Sequence, residues 1–410
     1  MAEPTRPVEH PCVVVGAGPV GLIAALAARM RGLDVLVVEA EPEGRPRPGS
    51  RAIGLWPWTL GRLQQLLPGL GERMGEAGIS IPGGDIRYKG KQVFEGRIPM
   101  LPPLLTGTSL PQTMIEQIWY DECVRLGVDF HWDAPVADIV TDAEGATLTL
   151  GSGEQIRAAY VIAADGARSA VRKGLGIEMS GHTDDLPFII VDVDDHPDGS
   201  TPDMFAYFHY NTPELDGRNV MHMPFRGGMR VDLQCKRGDD VDHLASPEGI
   251  RAWMPKIVDP WYADHVQWVS TYRFHQVVAE TYTDPHRRVL LTGEAAHLFA
   301  PFGGGRGLNS GVIDAADAAA AIAAALEADN ADAAAAPIDA CATDRRAAGL
   351  FNRDAAADAL RLMRGEDPGS RIKRELARRA APHFPLAGAW LGAVPLLGRM
   401  TLRPGASAIF

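Results

Sequence analysis

The sequence predicts an α/β protein with three parts: a discontinuous parallel-sheet domain, an inserted mixed or antiparallel β-sheet domain, and helices at the C-terminus. Three observations predict it. Near the N-terminus an apolar strand, a glycine turn and an apolar helix follow one another over residues 12–30. Far along the chain, residues 289–325 repeat the pattern with an apolar strand, a glycine-rich loop and a long Ala-rich helix. Between them, from Phe188, runs of aromatic and β-branched residues separated by turn residues read as strands. The expected boundaries are 8–75, 105–180 and 280–337 for the first domain, 76–104 and 181–279 for the inserted sheet, and 338–410 for the C-terminal helices.

Residues 12–15 form a short apolar strand that runs into Gly16-Ala17-Gly18-Pro19-Val20-Gly21. The helix that follows continues to about Met30 and stops at Gly32. A second strand, 33–38, ends at Glu39. This is the Rossmann-like dinucleotide fingerprint in its required context. Gly16 permits the tight turn, Gly18 lets a pyrophosphate approach, and Gly21 lets helix and strand pack closely. Glu39 stands where a carboxylate accepts bonds from a ribose, and it disfavours a 2′-phosphate. The tightly held ligand expected is therefore FAD or NAD rather than NADP.

Residues 42–50 are a Pro-, Arg- and Gly-rich loop, followed by Arg51 and a helix over 59–67. Arg51 is a candidate phosphate or ribose ligand, although a solvated loop arginine explains it as well. Prolines and glycines break up 80–104, leaving short strands at best. Gln112 begins a helix over 113–125, and 128–132 returns as a strand. Residues 146–150 and 155–156 read as a hairpin. The strand 160–164 ends in Asp165-Gly166-Ala167-Arg168-Ser169, a second turn able to face a ligand.

The inserted block should contain strands at 188–193, 204–210, 219–224, 229–233 and 266–274, with Gly227-Gly228 as a hairpin turn and a helix with loops over 247–263. Its aromatic content suits a sheet lining an apolar pocket, and equally an ordinary core. The segment Gly293-Glu294-Ala295-Ala296-His297 follows the strand 289–291, and four glycines lie between 303 and 307. The helix from about Leu308 points its positive end at that loop, a seat for a negative group. Residues 329–336 are low-complexity, a frayed helix end or surface turn, followed by helices over 338–363 and 371–381. The apolar stretch 386–400 is interrupted by Gly and Pro and should pack on the body.

Composition narrows the function. Hydrophobic content of 46% and charged content of 22% are those of a globular protein with real cores. The net charge of -12 argues against nucleic acid as a partner. Cys12, Cys123, Cys235 and Cys341 have no ligand spacing, so neither a metal site nor a disulfide framework is expected. The N-terminal Met-Ala-Glu-Pro-Thr-Arg-Pro has no apolar signal region, and no apolar run reaches membrane-spanning length. A cytoplasmic protein without a transmembrane segment is the expectation.

From about Pro11 to Leu362 the motifs resemble, in order and spacing, those of the single-component FAD-dependent aromatic hydroxylases, the para-hydroxybenzoate hydroxylase-like flavin monooxygenases. The resemblance rests on Gly16 to Gly21 with Glu39, on Asp165-Gly166 with Arg168-Ser169, and on Gly293 to Asn309. It implies that Gly16, Gly18 and Gly21 line the FAD pyrophosphate and that Glu39 holds the adenosine ribose. It places Arg51 over the FAD, Gln112 beside it, and Asp165 and Gly166 near both FAD and NAD(P)H. Glu294 stands where the family has an Asp on the ribityl chain. Pro301 and the loop through Gly304, Gly307, Leu308 and Asn309 would lie along the isoalloxazine, with backbone N–H groups at N1 and O2. Arg306 stands where some relatives carry Lys, and would stabilise the reduced flavin.

The sequence also departs from the family pattern. Glu replaces Asp at 294, the 301–309 loop is one residue longer, Trp58 replaces an arginine, and the thioredoxin-like domain of longer members is missing. The implied reaction is hydroxylation of a phenolic small molecule with O2, through a flavin C4a-hydroperoxide. NADPH or NADH serves as a transient co-substrate without a motif of its own. Tyr207, His209, His222 and Arg230 are candidates for the substrate wall. Epoxidation or Baeyer–Villiger chemistry on a natural product is one alternative, and a non-catalytic flavin scaffold another. A flavin halogenase is disfavoured: Trp56-Pro57-Trp58-Thr59 only superficially matches its Trp-x-Trp motif and lacks the Ile-Pro ending. The substrate and the oligomeric state stay open.

Overall fold

In the computed structural model the described residues are 9–45, 52–81, 83–97, 101–197, 205–301, 305–365 and 367–396. Arg51 and Gly304, both expected at the site, lie outside them. The first sheet has the strand order 129–131, 35–38, 10–15, 155–163, 146–150, 136–141, with 289–291 pairing 155–163. Val289–Leu291 lies parallel to that strand, in register with Val161 to Ala163. A strand from late in the chain thus closes onto the N-terminal strands, as a discontinuous domain requires. The central strands are apolar on both faces because helices cover both. Pro19–Arg29 and Arg306–Leu326 pack on one another so closely that a Cβ at Gly311 would meet Val20 Cγ2 at 2.6 Å.

The segment expected to form a hairpin and then a separate strand is one strand, Gln155–Ala163. Its first half pairs antiparallel with 146–150 and its second half parallel with 10–15. No turn residue interrupts Ile156 to Tyr160, so the chain has no place to break.

The second sheet runs in the order 266–272, 188–194, 228–234, 218–225, 205–212, 83–88, 91–97. Residues 83–97, read as short strands at best, form a hairpin that extends this sheet; Gly83–Tyr88 lies parallel to Phe205–Thr212. One face of the sheet packs on Ala356, Leu360 and Met363 of a long helix. The other is covered by the helices 241–245 and 247–253 and the segment 260–264.

That long helix, Ala331–Arg364, corrects the reading of 329–336 as frayed. Asn330 caps it, its side chain accepting from the Ala333 N–H at 2.9 Å. Alanine has the highest helix propensity, which here outweighs the interior Pro337 near the first turns. Among the described residues no helix is long and apolar enough to cross a membrane.

Candidate active site

The glycine turn forms one end of the candidate cofactor cradle. Gly16 has φ +101°, and a Cβ there would lie 2.5 Å from the Ala164 carbonyl oxygen; at Gly21 it would lie 1.8 Å from the Gly16 oxygen. Both glycines are required by the protein's own packing. At Gly18, by contrast, a Cβ would meet nothing within 4 Å. That open side sits at the N-terminus of Pro19–Arg29, where no side chain caps the helix. The opening and the helix end together suit a pyrophosphate.

Glu39 is buried at the end of its strand. Its carboxylate accepts from the Ala17 N–H at 2.5 Å and the Glu41 N–H at 3.1 Å, so it braces the glycine turn. Asp165 accepts from the Val171 N–H at 3.1 Å through Oδ2, while its buried Oδ1 has no hydrogen-bond partner. Burial holds this carboxyl above the ordinary range. A buried acceptor left unmet beside an open glycine, Gly166, suits a ligand that brings donors.

The central turn is held from behind by a buried ion triad. Asp314 Oδ2 accepts from His297 at 2.7 Å and from the Gly293 N–H at 3.2 Å, and Oδ1 accepts from Arg345 Nε at 2.7 Å. Burial pushes the Asp314 carboxyl up, but Arg345 and His297 outweigh it and hold the group below its usual range. The turn thereby presents Glu294, an exposed residue, to a cleft that Gln112, Pro301, Gly305, Gly307 and Leu308 also line.

Of two residues expected near the flavin ring, Asn309 is fixed through its side chain and Arg306 is turned away from the cleft. Asn309 is fully buried: its Oδ1 accepts from Thr59 Oγ1 at 2.6 Å and the Trp56 N–H at 3.2 Å, and its Nδ2 donates to the Gly54 and Gly305 carbonyls. It clamps the loop to the strand–helix junction at Trp56, which itself lines the cleft. Arg306 is buried, does not line the cleft, and donates from Nη1 to Asn352 Oδ1 at 2.7 Å. As the first residue of its helix it turns back onto 331–364, a direction that helix spacing alone does not reveal.

The inserted sheet forms the opposite wall through Ile190, Met221, Met223, Arg230 and Tyr272. Of the candidates for the substrate wall, Arg230 is on this face. Tyr207 and His222 are not. They pair with each other in register, and because side chains alternate, His222 points away from the face that Met221 and Met223 line. There Tyr207 stacks on His222 at 4.5 Å between ring centroids, and His222 Nε2 lies 3.2 Å from His209 Nε2. Sequence reasoning missed Asp192 and Asp232, both buried on the cleft side, in register with Arg230 and Ile190 respectively. The signal was present: an acid between valines in an apolar strand has no reason to be inside unless it is used. Among the described residues no cluster of three or more His, Cys, Asp or Glu could hold a metal.

Comparisons with known proteins agree with this geometry. Residues 9–349 match the family described as FAD binding domain. The chain is 30% identical over 311 residues to the rifampicin monooxygenase of Streptomyces venezuelae, covering 74% of this chain and 62% of that protein. It is 27% identical over 387 residues to the para-nitrophenol 4-monooxygenase of a Pseudomonas species, covering 88% and 89%. The chain thus spans less than two thirds of the rifampicin enzyme and nearly all of the nitrophenol enzyme. The crystal structure of a p-nitrophenol 4-monooxygenase from Pseudomonas putida superposes with a TM-score of 0.75 at 25% identity, covering 95% and 96%. The match over residues 9–349, together with a wound parallel sheet joined to an inserted antiparallel-rich sheet, makes this chain a member of the FAD-binding-domain family that includes the FAD-dependent aromatic hydroxylases.

Proposed function

We propose that this protein is an FAD-dependent monooxygenase that uses NADPH or NADH and O2 to hydroxylate a small phenolic substrate. One observation carries the reading: the cleft sets the loop with Gln112, Glu294, Pro301, Gly305, Gly307 and Leu308 against an apolar sheet wall that bears, among the described residues, one cation, Arg230. Bound FAD, reduced by the nicotinamide, supplies an electrophilic oxygen. The chain's own residues do the rest. Gly16, Gly18, Gly21, Glu39, Asp165 and Gly166 hold the pyrophosphate and ribose end. The uncapped helix N-terminus after Gly305 would offer its positive end to a negatively charged part of the cofactor. Met221, Met223, Ile190 and Tyr272 exclude water and position a flat ring, and Arg230 attracts its ionised hydroxyl.

The relatives named above act on a nitrophenol and on rifampicin, both aromatic. A screen of phenols for stimulated NAD(P)H oxidation, followed by mass spectrometry, tests the reading. The expected product gains one oxygen on the ring. Insertion of oxygen into an alkene or beside a ketone would replace hydroxylation with epoxidase or Baeyer–Villiger chemistry. Tight FAD binding with no oxidation of NADPH or NADH by any ring would leave a scaffold.

A further inference from the structure

The cleft-facing side of the inserted sheet carries a charge cluster that the cofactor motifs do not use. Arg230 lines the cleft; its Nε donates to Asp232 Oδ1 at 2.7 Å and its Nη1 to the Ala52 carbonyl at 3.4 Å. Asp192 lies directly across from Arg230 in the strand register. It is 0% exposed, and neither of its carboxylate oxygens has a hydrogen-bond partner; Asp232 Oδ2 has none either. Three unmet acceptor atoms therefore share one sheet face with one guanidinium. A buried carboxylate without donors is costly, and a proton is the simplest relief.

The charges then decide what the cleft accepts. With both acids ionised the cluster sums to one negative charge, and an anion placed on Arg230 would make it two in a nearly dry site. A proton on one acid restores the original sum. Asp192 is the acid without a bonded partner, so it is the one to receive the proton.

We propose that Asp192 takes up one proton when Arg230 binds a ring oxyanion, so that the cleft holds a phenol as phenolate beside a neutral Asp192 carboxyl. The assignment rests on the proposed function only in taking an aromatic ring as the ligand. When a neutral phenol enters, its O–H bond breaks, the electron pair stays on the ring oxygen and the proton ends on Asp192. When a phenolate enters, the proton comes from solvent. Asp192 acts through Arg230 and is a positioning residue.

The groups around it are consistent with this role. On the cleft side stand Arg230 and Asp232 from 228–234 and Tyr272 from 266–272, with Glu294 across the cleft. The segments 241–245 and 260–264, which carry Asp242, His243, Tyr262 and Asp264, pack on the opposite face of the sheet. Burial pushes the Asp192 carboxyl up to about 7; Arg230 pulls it down and Asp232 pushes it up. That narrows the gap to a phenol, ordinarily near 10.

The test uses the FAD-loaded protein without NAD(P)H. Benzoate, ionised throughout the range, and 4-nitrophenol, whose ionised form is yellow, serve as probes. Calorimetry in two buffers of different ionisation enthalpy counts the protons taken up. At about pH 8.5 the wild type should take up close to one proton with either probe, and its affinity should fall about tenfold per pH unit above pH 7. Asp192→Asn should take up none, show a flat dependence, and bind at least as tightly as wild type at the high pH. A merely structural role would instead weaken binding at every pH.

Wild type binding either probe without proton uptake overturns the proposal, and this count stands even if the variant does not fold. So does uptake that persists in Asp192→Asn, or a wild type that binds neither probe at any pH. NAD(P)H oxidation is measured separately. Uptake without oxidation keeps this assignment and removes the oxygenase reading, whereas oxidation without uptake does the reverse.

Discussion

The cofactor cradle and the inserted sheet meet at one cleft but are built in opposite ways. The cradle works with backbone: glycines at Gly16, Gly18 and Gly21, a helix end, and a turn whose Gly293 N–H is tied to Asp314. The sheet works with side chains set two residues apart: Met221 and Met223 on one strand, Arg230 and Asp232 on the next. A backbone site requires particular residues at fixed offsets. A sheet face requires only the correct parity, and a shift of one residue exchanges Met223 for His222. The two walls therefore fail differently when mutated.

The largest effect is expected behind the cradle. Asp314→Asn leaves Arg345 buried without its full counter-charge, and removing one partner of a buried pair costs about 3–5 kcal/mol. The central turn should loosen with it. Because Asp314 is held below the usual carboxylate range, the triad's contribution is present above that range and is lost as pH falls through the depressed value. Thermal denaturation from pH 7 down to pH 3 should show a steep acid loss in the wild type and a shallower one in the variant. Equal slopes would detach the triad from stability.

A paired substitution at the glycine turn comes next. Gly18 has an extended backbone (φ -72°, ψ 178°) and open space beside it. Gly18→Val should therefore fold normally as apoprotein yet lose FAD affinity by roughly a hundredfold or more, since the side chain fills the ligand's place. Gly21→Ala would push a Cβ against the Gly16 carbonyl and should destabilise the apoprotein itself. Apoprotein melting and FAD titration, run on both variants, separate a glycine kept for the ligand from one kept for the fold. Full flavin content in Gly18→Val would misplace the turn.

This same contrast explains what could be read from the sequence. The strand–turn–helix units around Gly16 and Gly293 were legible because each glycine has a local geometric reason to be there. The long strand Gln155–Ala163 was split in two because a strand that changes partners midway leaves no mark in the chain. Arg306 was set beside the flavin on its position before the helix, but a flexible arm at a helix start can turn either way, and the bond to Asn352 is made by a residue 46 positions later. The side-chain bonds of Asn309 to Gly54, Trp56 and Thr59 reach residues far earlier in the chain, so its local sequence carries no mark of them. Tyr207 and His222 are candidates for their chemistry; the parity that turns them away from the cleft is set by pairing with the neighbouring strands 83–88 and 228–234.

Glu294 sharpens the comparison at the cofactor wall with a smaller effect. The residue is exposed to the cleft, so its substitution disturbs no packing. Glu294→Ala should weaken FAD binding about ten- to a hundredfold, the worth of a charge-assisted bond to ligand hydroxyls of roughly 1.5–3 kcal/mol. Glu294→Asp should fall between, its shorter arm reaching from a backbone set for Glu. Fluorescence quenching on titrating apoprotein with FAD measures both. Unchanged affinity in the alanine variant would turn the residue away from the cofactor and shift the assignments of Pro301 and Gly305 with it.

The smallest effect on turnover is expected on the sheet's outer face, and it is the most direct test of parity. Tyr207 and His222 share that face, stacked and paired, with His209 alongside. Tyr207→Phe and His222→Leu should each leave kcat/KM for the best phenol within about twofold, while Met223→Ala, one residue away on the cleft side, should lower it clearly. The histidines should show elsewhere. Burial holds His209 down at about 4 and His222 well below its ordinary value; Arg87 adds to both, and His209 adds to the depression of His222. Both are therefore neutral when folded, and the unfolded chain binds more protons between about pH 6.5 and 4. Stability must rise with pH through that window and be lost as pH falls through it. His222→Leu removes one of the two groups, so its stability should depend less on pH there, with turnover nearly untouched. A large loss of kcat with an unchanged acid limb would place His222 in the cleft and reverse the face assignment of the whole strand, taking Met221 and Met223 out of the substrate wall.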